Sequence, residues 1–365
     1  MPSDAGLRSQ RRPRLRARLA LFAIGCIVAL LLAEISVRVW RAATDAKAVG
    51  LSQQRTEPAR PRPGEPYRLG HLIRAAQHHD IVFELLPDLD VPFLGKRLVT
   101  NHDGFRGPPR TPAKPANGFR IVGLGDSVLF GWGVEYEEAG LPKLEALVQQ
   151  ALPGKLVEAI DTGVPGYNTA MEAVVLQEKG LRFQPDLVIV DFVGNDLDLP
   201  NYLWSPPNYW QLDKSFLLDL VWRMRSWKGS ELNGPFVWAP TREHGAFAQD
   251  PAAVPPEYRH LVGIDAFRRG MRSIVDAGRA HGFKVLVTCH NEMWQQIRDV
   301  CNEVQVPFVD IGYRVNTWLK EHGHETLLGS PLTIDPKDPH PSPLVHTWWA
   351  EAAFAKLCEL GWLPR

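Results

Sequence analysis

Paired cysteines, a net charge and metal-ligand spacing are all missing from this sequence of 365 residues. Lysine plus arginine and aspartate plus glutamate balance at 41 each, so no global field recommends nucleic acid as a partner. The four cysteines, Cys26, Cys289, Cys301 and Cys358, form no Cys-x-x-Cys pair. Zinc is therefore not expected, and small buried hydrophobes are the default reading. A Cys289–Cys301 disulfide stays open for an oxidising compartment. No internal repeat is visible. The glycine-rich turn near residue 125 lacks the Gly-Lys-Ser/Thr of a phosphate loop, and Val128 stands where a dinucleotide fingerprint needs glycine. Neither a cofactor nor a metal is expected.

What is present is local. Arg8, Arg11, Arg12, Arg14, Arg16 and Arg18 precede an apolar run from Leu19 that continues to Val37 with Glu34 as its only charge. Its length is close to the ~17–25 residues that cross a bilayer. The preceding arginines and the lack of a small-x-small cleavage site after it predict an uncleaved anchor over 19–40. The positive-inside rule leaves the tail 1–18 cytoplasmic and exports the remainder to a periplasmic or extracellular location. From about Ala42 to Pro66 the chain turns polar and proline-rich, as a tether does. Residues 41–118 are read as linker and irregular cap, with a strand-like piece at Ile81–Leu86.

From residue 119 onward, strands and helices alternate. Strand-like runs at Arg120–Gly125, Lys155–Ile160, Pro185–Val193, Lys284–Cys289 and Pro307–Ile311 are separated by helical spacing near 137–151, 168–181, 257–282, 291–303 and 344–360. This rhythm predicts an α/β fold in which a five-stranded parallel sheet is covered on both faces. Residues 197–256 interrupt it with Trp204, Trp210, Trp222, Trp227 and Trp238. A lid, an interfacial surface, and a hairpin packing its tryptophans on the domain all account for that insertion.

The polar residues placed after strands form a constellation. Ser127 follows the first strand, Gly166 the second and Asn195 the third, while Asp338 and His340 precede the last helix. In an open parallel sheet these loops share the carboxyl edge, so residues distant in sequence converge. Acyl transfer needs a serine, a base to take its proton, a carboxylate to orient the base, and fixed donors for the developing oxyanion. His340 suits the base and Asp338 the orienter; the N–H groups of Ser127 and Gly166 and the Asn195 amide suit the donors. Asp126 is expected to brace the serine turn and Asp196 to cap the turn after Asn195. His346 reads as a helix-face histidine, and His290 as a strand-end residue beside the cleft.

Gly-Asp-Ser, Gly-x-x-Gly-x-x-Thr, Gly-Asn-Asp and Asp-x-His-Pro-Ser, in this order from about Arg120 to the carboxyl terminus, resemble the four blocks of the SGNH (GDSL-type) hydrolases. That resemblance implies a flavodoxin-like three-layer αβα fold, metal-free ester hydrolysis, and the roles just given to Ser127, Gly166, Asn195, Asp338 and His340. The anchor followed by Asn101-His-Asp-Gly-Phe-Arg-Gly107 is similar to membrane-tethered bacterial members. One position departs: the family places its aspartate three residues before the histidine, where Lys337 stands. Asp338 is two before, and Asp335 is the substitute if it fails to reach. The expected function is a serine esterase working through an acyl-Ser127 intermediate on carbohydrate O-acetyl or lipid acyl esters. An acyltransferase using the same site, or an anchored binding module without catalysis, are the alternatives.

Overall fold

The computed structural model describes residues 12–203, 209–225, 236–239 and 248–363. In chain order the main elements are α1 (Arg12–Gln53), β1 (Gly118–Gly125), α2 (Gly140–Ala151), β2 (Leu156–Asp161), α3 (Thr169–Val175), β3 (Leu187–Asp191), α4 (Phe216–Arg225), α5 (Ile264–His281), β4 (Lys284–Cys289), α6 (Gln295–Val304), β5 (Phe308–Asp310), α7 (Gly312–Glu321) and α8 (Pro343–Glu359). Two compact units result, one of residues 1–51 with 205–231 and the other of 52–204 with 232–365.

In the larger unit the five strands pair in parallel in the order β2-β1-β3-β4-β5, which is the flavodoxin-like arrangement. Strand β3 explains why both faces are covered. Leu187 and Ile189 face a core with Leu141, Leu144, Val148, Val315, Trp349 and Leu357. Val188 and Val190 face the opposite core with Phe183, Phe267, Met271 and Ile274. Successive side chains of a strand alternate in direction, so an unbroken apolar run requires helices on each side. Each such side chain taken fully from water contributes about 1.5–3 kcal/mol before entropy is subtracted. Register matches Gly123 to Asp161 and Gly125 to Asp191, which brings three strand ends to one edge.

Element bounds differ from the sequence expectation where local chemistry intervenes. Helix α3 starts after Asn168, whose side chain accepts the Met171 N–H, and then widens into a π turn over Leu176–Gly180. The predicted helix at 257–282 begins only at Ile264, because Pro256–Leu261 is a 3-10 turn. Residues 67–118 are less irregular than expected: two antiparallel hairpins pair Ile73–Ala75 with Phe83–Leu85 and Asp90–Phe93 with Lys96–Val99. Part of the expected tether is helix, since α1 runs on to Gln53. Its last turn is held by Ser52 Oγ, which accepts the Ala75 N–H at 3.0 Å.

All four cysteines are free. Cys289 and Cys301 are buried as expected, without the disulfide. Cys26 and Cys358 are exposed, correcting the buried reading: one lies on the apolar surface of α1, the other on the outer side of α8. In the smaller unit, α1 is long and apolar enough to cross a membrane, with an exposed apolar surface from Leu15 to Val39. The side chains of Trp204, Trp222, Trp227 and Trp238 lie outside the described residues; Trp210 is exposed.

Candidate active site

Strand β1 ends at Gly125, and Asp126 caps the single helical turn Ser127–Phe130 by accepting the Val128 N–H on Oδ1 at 2.9 Å. Capping satisfies a donor that the turn leaves open and fixes where the chain changes direction. Ser127 is thereby held half-buried at the carboxyl edge of the sheet. The bracing role expected of Asp126 is present, and it reaches further, because its Oδ2 accepts the Asn195 amide at 2.7 Å. Burial pushes the Asp126 carboxyl above its usual range, against the bonds from Val128 and Asn195.

The predicted base and orienter lie on one short strand, Asp338–Pro341, which folds back on Thr333–Asp335. Residues two apart on an extended strand share a face, and Pro339 and Pro341 keep their preceding residues extended. Spacing of two therefore suffices. Asp338 Oδ1 is 2.5 Å from His340 Nδ1, and His340 Nε2 is 2.8 Å from Ser127 Oγ. Asp335 does not take part: it is exposed, and its Oδ1 accepts the Lys337 N–H at 2.9 Å in the hairpin turn. With Nδ1–H donating to Asp338, the network leaves the Nε2 lone pair facing the serine hydroxyl. Ser127 Oγ also lies 3.2 Å from Asp126 Oδ2, a longer contact than the one to the imidazole. Burial pushes the Asp338 carboxyl up, but the His340 side-chain and backbone N–H groups outweigh it and hold the acid below its usual range.

The three predicted oxyanion donors occupy the loops after β1, β2 and β3. Gly166 has φ +87°, and a Cβ there would come within 2.6 Å of Asn201 Nδ2; the backbone conformation and the close side chain both require glycine. One Asn195 N–H is spent on Asp126, which fixes the amide plane and leaves its second N–H to point elsewhere. Among the described residues, the N–H groups of Ser127 and Gly166 donate to no protein acceptor.

Trp132 adds a contact that the sequence motifs do not assign. Its Nε1–H donates to Asp338 Oδ2 at 3.1 Å, and its ring stacks on His340 with centroids 5.2 Å apart and planes at 26°. It is placed there by Gly133, where φ is +75° and any Cβ would stand 2.3 Å from Ile334 Cδ1 of the facing hairpin. The buried Arg106, from the Asn-x-x-Gly-Phe-Arg-Gly run, holds the same loop by donating to the carbonyls of Gly131 at 2.6 Å and Val134 at 2.7 Å. A Gly-Trp-Gly run after the serine was the available signal for this contact.

Other polar residues serve the interior beneath the site. Asp196 does not cap the turn after Asn195, as expected; it is buried and accepts the Thr169 hydroxyl at 2.7 Å. His290 and His346 are both buried, 3.2 Å apart between Nε2 and Nδ1. His290 stacks on Trp349, while Asp191 accepts from Thr288 and from the Trp349 indole at 2.8 Å each. Burial, with His290 beside it, drives the His346 imidazole well below its usual range, so it is neutral. Burial also pushes Asp161, at the end of β2, up to about 7. Among the described residues no three His, Cys, Asp or Glu side chains converge to hold a metal ion.

Several solved structures are similar to the chain. TesA shares 14% identity, covering 66% of this chain and 99% of its own, with a TM-score of 0.38. The acetyl xylan esterase AlAXEase shares 14% identity over 66% and 100% of the two chains, with a TM-score of 0.39. The acetylxylan esterase Axe2 from Geobacillus stearothermophilus shares 16% identity over 68% and 98%, with a TM-score of 0.39. Likeness at this level carries no argument about substrate. No curated protein matches the sequence. The profile of the GDSL-like lipase/acylhydrolase family, however, matches residues 124–348. That span is more than half of the chain and contains each of the four polar loops, so the protein belongs to the GDSL-like lipase/acylhydrolase family and is an ester-hydrolysing enzyme.

Proposed function

We propose that the enzyme is a membrane-anchored serine esterase that works through an acyl-Ser127 intermediate. The observation that carries this reading is the unbroken chain from Asp338 through His340 to Ser127, at 2.5 and 2.8 Å. Ser127 Oγ attacks the ester carbonyl while His340 Nε2 takes its proton. Asp338 holds the imidazole in the tautomer with Nδ1 protonated and stabilises the imidazolium. The tetrahedral oxyanion receives hydrogen bonds from the N–H groups of Ser127 and Gly166 and from the Asn195 amide. Collapse expels the alcohol, which takes the proton from His340, and leaves the acyl group on Ser127. Water, deprotonated by the same imidazole, then releases the acid. An acceptor alcohol in place of water makes the same site an acyltransferase.

The anchor reading is supported by the exposed apolar surface of α1 and by the arginines before it. It leaves the amino terminus cytoplasmic and the catalytic unit on the periplasmic or extracellular side, near carbohydrate O-acetyl or lipid acyl esters of the envelope. The test is labelling of the full chain in detergent with a fluorophosphonate, alongside Ser127→Ala. Labelling of the wild type that is lost in the variant is the expected result. A folded wild type that does not label sinks the proposal. Acetate against long-chain acid released from model esters then separates the two substrate classes.

A further inference from the structure

Within the smaller unit, Glu34 is the sole charge in the apolar run, and its surroundings account for it. Its carboxylate accepts the Phe216 and Leu217 N–H groups at 2.8 Å each and the Ser215 hydroxyl at 2.9 Å. It also pairs with Arg38 Nε at 2.7 Å. Glu34 therefore caps the first turn of α4 from a different helix, where the open N–H groups and the helix dipole favour a negative charge.

Glu34, Arg38, Arg41 and Asp45 recur at the three- and four-residue spacing that lines one helix face. Each holds part of the segment 209–219. Asp45 accepts the Tyr209 hydroxyl. Arg38 donates to the carbonyls of Tyr209, Gln211 and Lys214, the last two at 2.8 and 2.7 Å. Arg41 pairs with Asp219 at 2.7 Å. The Tyr209 ring reaches up to Asp45, while the backbone of the segment meets α1 at Arg38, through the carbonyls of Tyr209, Gln211 and Lys214, and then at Glu34, through the Phe216 and Leu217 N–H groups, before Asp219 turns back to Arg41. The segment thus returns into the last turns of the apolar run.

Phe216 is buried beneath the Arg38 and Arg41 guanidinium groups, whereas Leu212, Leu218 and Val221 are turned outward, with Asp213 and Lys214 exposed between them in sequence. Leu212 is 96% exposed, Leu218 70% and Val221 50%, beside an α1 surface on which Leu32, Ile35 and Val39 are likewise exposed. Three large aliphatic side chains held outward at this level, continuous with the surface of the anchor, match the headgroup and upper acyl region of a bilayer. We propose that residues 209–221 form a second membrane-contacting element, clipped to the anchor through Glu34 and Arg38, whose partner is the phospholipid interface. This rests on the anchor reading above and gives the aromatic insertion a lipid-facing part.

The test uses the full chain with Cys26→Ala and Cys358→Ala, reconstituted in phosphatidylcholine–phosphatidylglycerol vesicles. An environment-sensitive fluorophore is attached at Leu218→Cys, Leu212→Cys or Leu30→Cys in turn. At Leu218 and Leu212, quenching by lipid carrying a shallow nitroxide is expected, with iodide quenching at least threefold below that of the free dye. Full iodide quenching at both positions, with the Leu30 probe still quenched by a deep nitroxide, overturns the proposal while the anchor stands. A Leu30 probe that iodide quenches and lipid does not overturns the anchor and the proposal together. Glu34→Leu is expected to restore iodide access at Leu218 without altering Leu30; unchanged protection at Leu218 refutes the clip.

Discussion

Ser127, His340 and Asp338 make separable predictions because their contacts differ. Ser127→Ala and His340→Ala are each expected to lower kcat for a model ester by about 10⁴ or more, with folding intact by circular dichroism. Asp338→Asn is expected to cost about 10³–10⁴, since it loses the charge beside His340 Nδ1 and permits the wrong tautomer. Asp335→Ala is expected to stay within about twofold, because that carboxylate is occupied with the Lys337 N–H. A large loss at Asp335 with a small one at Asp338 would reverse the assignment. Trp132→Phe keeps a ring over His340 but removes the indole N–H from Asp338. A hydrogen bond to a charged group contributes about 1.5–3 kcal/mol, so kcat is expected to fall about ten- to a hundredfold with KM nearly unchanged. Trp132→Ala loses the stack as well and is expected to fall further. Equal losses in kcat and in melting temperature for both variants would mean that Trp132 serves packing alone. The proposed nucleophile and base were legible as residue types in blocks, whereas Trp132 was not, because its contact depends on a hairpin that arrives some 200 residues later in the sequence.

Strand geometry resolves at the next scale what the family spacing left open. Asp338 and His340 are two residues apart and share a face because Asp338–Pro341 is extended and paired with Thr333–Asp335. Gly166, at φ +87° against Asn201, is a point in the loop after β2 where a side chain is strained. Gly166→Ala is expected to reduce kcat by more than tenfold, measured beside thermal stability to separate a misplaced donor from a loosened loop. Asp161, at the end of β2, predicts a pH effect on stability. Burial raises its pKa from 3.8 to about 7, so between those values the folded chain binds the proton more tightly than the unfolded one. Its contribution to stability is therefore present at low pH and falls as pH rises from about 4 to about 7. Asp161→Asn, which keeps the acceptor for the Gly163 N–H, is expected to flatten that fall in urea titrations at pH 5 and pH 8. An unchanged difference between the two pH values would show that Asp161 is already ionised in the folded chain.

For the whole molecule, the apolar helix α1 in the smaller compact unit predicts how the protein partitions. The full chain is expected to remain in the membrane pellet after alkaline carbonate extraction, and a form lacking residues 1–40 is expected in the supernatant. Hydrolysis of a water-soluble ester by the shortened form is expected within a few-fold of the full chain, because β1–β5 and their covering helices form a compact unit without those residues. Full-length protein in the carbonate supernatant would contradict the anchor. Activity lost with the anchor would tie catalysis to the smaller unit.

Composition and pattern alone determined the class of this protein. Five apolar runs, the first three ending in glycine-bearing turns, alternate with helical spacing and require a parallel sheet with both faces covered, and Ser127, Gly166, Asn195 and His340 follow from their places after strands or before the last helix. These features are local, written in the period of the chain and in the turns that break it. The contact of His340 with Asp338, the clamp of Trp132, the burial of His290 and His346, and the partners of Glu34 were decided by tertiary structure. Each depends on segments brought together across tens to hundreds of residues, where distance and direction are set by packing and the sequence carries only the residue types.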